Sequence, residues 1–183
     1  MRKLIMWNII TLDGYFEGDN NWDLDFLQMV WGPELEKISI DQLKSADFLV
    51  FGRVTYEGMA AHWKTAEGEI AELMNNIPKL IFSRTLNSVD WNNASLIKEN
   101  PSSVISGLKA EEGEGDMYVF GSADLSATLI KDDLFDEYRI GIAPVLLGGG
   151  RRLFNGGISP RPLALVKSKQ LSNGGLILIY NGK

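Results

Sequence analysis

The stretch Asp47-Phe48-Leu49-Val50-Phe51-Gly52-Arg53-Val54-Thr55 reads as a buried strand that stops at a glycine and gives way to a helix from about Val54. The same grammar recurs along the chain. Ile5 to Ile10 is a short apolar run without helical spacing, ended by the turn Thr11-Leu12-Asp13-Gly14. Lys79 to Phe82 is another strand; a helix over Glu67 to Asn76 stops before Pro78 ahead of it, and Ser83-Arg84-Thr85 ends it. Met117 to Phe120 is closed in turn by Gly121.

Between these runs lie helical patterns. Leu35, Ile38 and Leu43, with Ile40, mark a helix of modest amphipathicity, and Pro101 suits the first turn of a helix reaching Leu108. Leu125, Leu129 and Ile130 place a further helix over Ala123 to Lys131. Glu137 to Ala143, Leu163 to Lys169 and Leu176 to Tyr180 read as strands. Alternating strands and helices argue for an α/β layer architecture with a mostly parallel sheet. Gln170 to Gly174 is too short for a crossover helix, so the sheet is expected to end in an antiparallel hairpin. With 183 residues, the chain is expected to form one domain over residues 1–183.

Composition removes several functions. Hydrophobic residues at 45% and charged residues at 23% are ordinary globular usage and exclude a disordered or fibrous chain. A formal net charge of −6 disfavours a protein that grips nucleic acid by neutralising phosphates. The chain has no cysteine and a single histidine, His62, which excludes disulfides, thiolate chemistry and His- or Cys-built metal sites. His62 sits near a helix end, where a structural role is expected. No segment reaches the roughly 20 apolar residues of a membrane span, and the N-terminus lacks a signal-peptide pattern, so a cytoplasmic protein is expected. The tryptophans Trp7, Trp22, Trp31, Trp63 and Trp91 are dispersed and are expected to line core and pocket.

Chemistry collects at the strand ends. Gly52-Arg53-Val54-Thr55, Ser83-Arg84-Thr85 and Gly121-Ser122-Ala123 each stand where a strand gives way to the next element. In open α/β sheets the crevice at the carboxyl ends of strands binds ligands, and helix N-termini there offer free N–H groups to phosphate. Gly52 allows close backbone approach, Arg53 and Arg84 supply forked cationic donors, and Thr55, Ser83, Thr85 and Ser122 supply hydroxyls. The same residues are compatible with turn glycines, a capping serine and solvated arginines. No GxGxxG follows these strands and no GxxxxGK[ST] occurs. The polar loop Tyr15 to Trp22 carries aromatic residues that would be costly to expose, as in loops that cover a ligand. Gly148-Gly149-Gly150-Arg151-Arg152 precedes Leu153-Phe154, an expected core anchor rather than a phosphate-loop helix.

Five segments occur in one order: Thr11-Leu12-Asp13-Gly14-Tyr15, Phe51-Gly52-Arg53-Val54-Thr55-Tyr56-Glu57, Pro78 through Leu86, Val119-Phe120-Gly121-Ser122, and Pro144 through Gly150. The series resembles the dihydrofolate reductase-like superfamily, and most closely the branch typified by the reductase domain of bacterial riboflavin biosynthesis. The resemblance implies a three-layer αβα fold with a mixed central sheet, homodimer formation, and NADPH-dependent reduction of a small pterin-like or pyrimidine-like heterocycle. It also implies that Gly52, Arg53, Thr55, Ser83 and Arg84 bind the 2′-phosphate and pyrophosphate of NADPH, with Gly121 and Ser122 against the pyrophosphate. Thr11 would touch the cofactor, and Leu12, Gly14, Tyr15 and Trp22 would line the substrate pocket. Tyr15 stands where the riboflavin enzyme commonly has lysine, which together with the acidic stretch Asp19 to Asp25 argues against a phosphoribosyl substrate. Asp13 is the preferred proton donor, with Asp25 and Asp23 as alternatives. A binding protein that keeps the fold without turnover is the competing expectation.

Overall fold

The computed structural model describes residues 2–154 and 156–182. The elements are, in order, β1 (Leu4–Thr11), β2 (Tyr15–Glu17), a 3-10 turn (Asp25–Met29), α1 (Pro33–Lys44), β3 (Ala46–Gly52), α2 (Arg53–Trp63), α3 (Glu69–Asn76), β4 (Lys79–Phe82) and β5 (Ala94–Ile97). They continue with α4 (Pro101–Ala110), β6 (Asp116–Phe120), α5 (Ala123–Lys131), β7 (Glu137–Ala143), β8 (Arg151–Arg152), β9 (Ala164–Gln170) and β10 (Leu176–Asn181). Eight strands form one sheet in the order β5-β4-β3-β6-β1-β7-β10-β9. It is parallel from β5 to β7, and β10 and β9 close it as the expected antiparallel hairpin.

Helices cover both faces, which explains why the central strands are apolar throughout rather than alternating. In β3, Leu49 and Phe51 pack with Leu43 of α1, Tyr56 and Ala60 of α2 and Met74 of α3. Val50 points the other way, with Ile105 of α4 and Leu125 and Leu129 of α5. Trp91 stacks on Phe51 at 5.9 Å, nearly parallel. Removing the Phe51 ring would cost about 3–5 kcal/mol by the usual cost of a buried aromatic cavity. A third cluster, with Phe26, Leu35 and Ile177, closes the β7–β10 end.

Three local expectations need correction. The loop after β1 is not wholly irregular: Tyr15–Glu17 pairs antiparallel with Arg151–Arg152 as a two-stranded ribbon. Strand β5 was not foreseen; it forms because Lys79 to Phe82 offers a free parallel edge. Of the expected anchor, Leu153 is buried but Phe154 is 44% exposed. No helix among the described residues is long and apolar enough to cross a membrane.

Lys79 is fully buried, and its ammonium donates to the carbonyls of Asn75, Ile77 and Asn92 at 3.1, 2.8 and 2.9 Å. It also sits 4.6 Å from the Trp91 ring centroid. Burial pushes its pKa down to about 8. The folded state therefore releases this proton at lower pH than the unfolded chain, whose lysine titrates near 10.4. Between about pH 8 and 10 the unfolded state binds more protons, so this group's contribution to stability rises with pH. The melting temperature of the wild type, measured relative to Lys79→Met, is expected to rise across that window and stay flat below it.

Candidate functional site

Parallel topology brings the C-terminal ends of β3, β4 and β6 to one edge of the sheet, where α2 and α5 begin. A cavity of about 570 Å³ opens there and continues beneath α1, α2 and α3. Gly52, Arg53, Thr55, Ser83, Arg84, Gly121, Ser122 and Trp22 all line it.

The strand ends are tied together by hydrogen bonds. Ser122 Oγ accepts from the Gly52 N–H at 2.7 Å and donates to Thr55 Oγ1 at 2.7 Å. Thr55, buried at the cavity wall, keeps its own hydroxyl proton for another acceptor. The Gly121 N–H donates to Asn8 Oδ1 at 2.9 Å. Both Gly121 and Ser122 have positive φ, +60° and +55°, so the chain reverses sharply as it enters α5. Ser83 Oγ accepts from the N–H groups of Thr85 and Leu86, which caps its own turn.

Neither α2 nor α5 has a side-chain N-cap, so the first-turn N–H groups of both helices remain available at the cavity rim. Of the cations in the lining, Arg53 pairs with Glu57 at 2.9 Å, and Arg151 pairs with Asp124 at 2.8 Å while lying 3.9 Å from Glu17. Lys98 donates to the carbonyls of Arg84 and Leu86. Arg84 is exposed and has no acid partner among the described residues. An anion at this rim would meet helix N-termini, a free guanidinium and the Thr55 hydroxyl together.

Trp22 lies on the underside of its loop. The loop folds on itself through Gly18 N–H to Asp23 O at 2.9 Å, and the Trp22 N–H donates to Glu17 Oε1. The indole rests on α2 where Gly58 leaves room, for a Cβ built there would lie 1.8 Å from the ring. Glu17 is the buried carboxylate of the lining; Glu99 and Asp124 are exposed.

The first turn behaves differently from expectation. Thr11, Leu12, Asp13, Gly14 and Tyr15 do not line the cavity, because the chain turns from β1 toward residues 145–152. Leu12 is 65% exposed, and Tyr15 stacks beneath the Arg152 guanidinium at 4.5 Å. Asp13 accepts from Thr11 Oγ1 at 2.6 Å and from the N–H groups of Leu147 and Gly148 at 3.1 and 2.8 Å. Chiefly through the Thr11 hydroxyl, these bonds hold its pKa at about 2. So strong an acid is ionised throughout the neutral range, and it lies outside the cavity lining. Asp23 and Asp25 are exposed and also lie outside the lining.

The sequence reading missed Asn8 and Gln42. Both line the cavity, both are buried, and Asn8 Nδ2 and Gln42 Nε2 find no acceptor among the described residues. An unmet buried donor costs about 1–3 kcal/mol, a cost that a ligand can relieve. A polar residue inside the apolar run of β1 was the signal for Asn8; Gln42 resembled an ordinary helix-surface residue. The structure also brings Met59, Trp63, Ile70 and Met74 into the lining.

The fold is an α/β fold of the dihydrofolate reductase-like kind, and comparison narrows it. Residues 2–177 match the family described as the RibD C-terminal domain, and the chain belongs to that family. It is 31% identical over 185 residues to the uncharacterized protein YyaP of Bacillus subtilis (strain 168), covering 98% of this chain and 95% of YyaP. The fold matches a candidate riboflavin biosynthesis protein of Shewanella sp. PV-4 with a TM-score of 0.79 and 24% identity, over 99% of this chain and 98% of that one. It also matches a Thermotoga maritima diaminohydroxyphosphoribosylaminopyrimidine deaminase/5-amino-6-(5-phosphoribosylamino)uracil reductase, with a TM-score of 0.68 and 13% identity. That match covers 98% of this chain and 56% of the Thermotoga protein.

Asp13 is thus a fastener between β1 and the Leu147–Gly148 turn. Because its folded pKa is depressed, its contribution is full above about pH 4 and is lost as pH falls through about 2. Asp13→Asn is expected to lower the melting temperature at pH 7 and to shrink that difference below pH 3, measured by circular dichroism.

Proposed function

We propose that the chain is an NADPH-dependent reductase of a small pterin-like or pyrimidine-like heterocycle. The observation that carries the reading is one cavity with two contrasting halves: a cation-bearing rim at the strand edge, continuous with an aromatic-walled compartment under α1, α2 and α3. The RibD C-terminal domain family is pyrimidine reductase-like, which supports the same class of reaction.

The residues present fit the cofactor. Arg84, the Thr55 hydroxyl and the N-termini of α2 and α5 would hold its phosphates, and Asn8 Nδ2 supplies an unmet donor at the strand edge. When bound, NADPH supplies a hydride. The chain's own part is to bind, orient and exclude water: Trp22, seated on Gly58, covers the cavity, and Glu17 holds the Trp22 backbone in place.

One observation favours a second reading, a binding protein without turnover. The helix after the covering loop presents Ser39, Gln42 and Leu43 to the cavity, so none of its acids can donate a proton there. Turnover of NADPH with a panel of pterins and pyrimidines separates the two: oxidation supports the reductase, and tight binding without oxidation supports the binding protein.

Arg84→Ala is expected to weaken NADPH by about tenfold or more, the scale of a lost charge-assisted bond, while the unliganded protein melts as the wild type does. NADH, lacking the 2′-phosphate, should bind more weakly than NADPH to the wild type and lose less on this substitution. Calorimetric titration of both nucleotides checks this, and equal affinities would count against it.

We also propose that the chain pairs with a second copy through the C-terminal hairpin. Strand β9 is a sheet edge; Leu165 and Val166 on it, Leu163 just before it and Leu176 on the neighbouring β10 are 39–57% exposed. An edge this apolar invites pairing unless it is covered. Light scattering is expected to give twice the chain mass, falling to the monomer in Val166→Lys.

A further inference from the structure

We propose that the inner compartment takes an uncharged, unphosphorylated ring system with a hydrogen-bond acceptor on the edge that meets α1, and that Gln42 is the residue that selects it. This rests on reading the outer half of the cavity as the cofactor site.

The cavity divides by charge. Its cations stand at the N-terminus of α2 (Arg53), past the ends of β4 and β5 (Arg84 and Lys98) and in the β2–β8 ribbon (Arg151), and its acids, Glu17, Glu99 and Asp124, lie outside α1, α2 and α3. Beneath those helices the walls are Trp7, Leu43, Met59, Trp63, Ile70 and Met74, and the lining there carries no charge. A phosphate placed in that half would give up its hydration with no counter-charge to meet it. Flat rings, by contrast, match indole faces and thioethers.

The polar side chains that α1 lends to this half are Ser39 and Gln42. Ser39 Oγ donates to Leu35 O at 2.9 Å, which commits its proton. Gln42 is oriented from behind: its Oε1 accepts from an Arg139 guanidinium nitrogen at 3.1 Å. Arg139 is itself held by Glu137 and by the Tyr118 hydroxyl. Because arginine can only donate, it must face the Gln42 carbonyl, which sends the amide NH₂ the other way. That NH₂ has no acceptor, and the residue is 4% exposed. A ligand carbonyl or an unprotonated ring nitrogen brought against it by a small shift of the wall would complete it; an ammonium or an N–H at the same point would not. Gln42 therefore reads one edge of the ring, and the uncharged walls reject a phosphorylated tail.

The test is a titration of the NADP⁺-saturated protein with 6-hydroxymethylpterin and with its phosphate ester, followed by pterin fluorescence. The alcohol is expected to bind about tenfold tighter or more. Gln42→Met, which keeps the volume and removes the donor, should weaken the alcohol by about tenfold and leave NADP⁺ affinity unchanged. Trp31→Ala, at a lining residue 48% exposed and so safe for folding, should weaken the alcohol severalfold. Equal or tighter binding of the ester overturns the proposal, as does full affinity for the alcohol in folded Gln42→Met. Should Gln42→Met fail to fold, the ester pair and Trp31→Ala decide. If NADP⁺ does not bind, yet the free protein still prefers the alcohol and both variants weaken it, the compartment assignment stands and the cofactor assignment falls.

Discussion

A single hydroxyl sets the geometry of the strand edge. Ser122 Oγ takes the Gly52 N–H and gives its own proton to Thr55, so the turns that open α2 and α5 are held at hydrogen-bond distance. Its position needs a left-handed backbone, which costs a non-glycine residue roughly 1–2 kcal/mol. The hydrogen bonds offset that cost, and the adjoining Gly121 N–H reaches back to Asn8 on β1. The ends of β3 and β6 are thereby joined to each other and to Asn8 within β1, and the cavity opens beside this joint. Gly52 eases the contact, since a Cβ there would stand 3.0 Å from the Ser122 oxygen and push it by a few tenths of an ångström.

Much of this arrangement was legible in the sequence, for a topological reason. Continuous apolar runs ending in glycine or in polar turns identify parallel strands, and right-handed crossovers then carry every such end to one edge. Gly52, Ser83, Arg84 and Gly121 share a lining because of that rule, without any contact between them having been foreseen. What was not legible depends on partners distant in sequence. Asp13 looked like an acid beside the active crevice, and only its bonds to Leu147 and Gly148 reveal that it faces elsewhere. The ribbon of β2 and β8 has too few residues to show a pattern, and β5 owes its existence to the neighbouring edge of β4. Gln42 was invisible because helical periodicity assigns a polar residue to the solvent side, whereas α1 has a second, concave side over the cavity.

Net charge and local charge point in opposite directions. The chain carries −6 overall, yet four cations line one rim. Pairing quiets two of them: Arg53 with Glu57, and Arg151 with Asp124. Arg84 is left to project its field into the crevice, where low-dielectric walls lengthen its reach. The acidic remainder of the surface repels polyanions, while the cations are confined to the rim of the crevice.

The seat of Trp22 is an absence. Gly58 lies inside helix α2, where glycine weakens the helix by about 1 kcal/mol relative to alanine. That missing methyl group is the recess into which the indole fits. Helix strength and the seat of the indole therefore trade against each other at one position: a side chain that improved the helix would displace the tryptophan from its place in the cavity wall. Glycine at position 58 thus gives up helix strength for the packing of one indole.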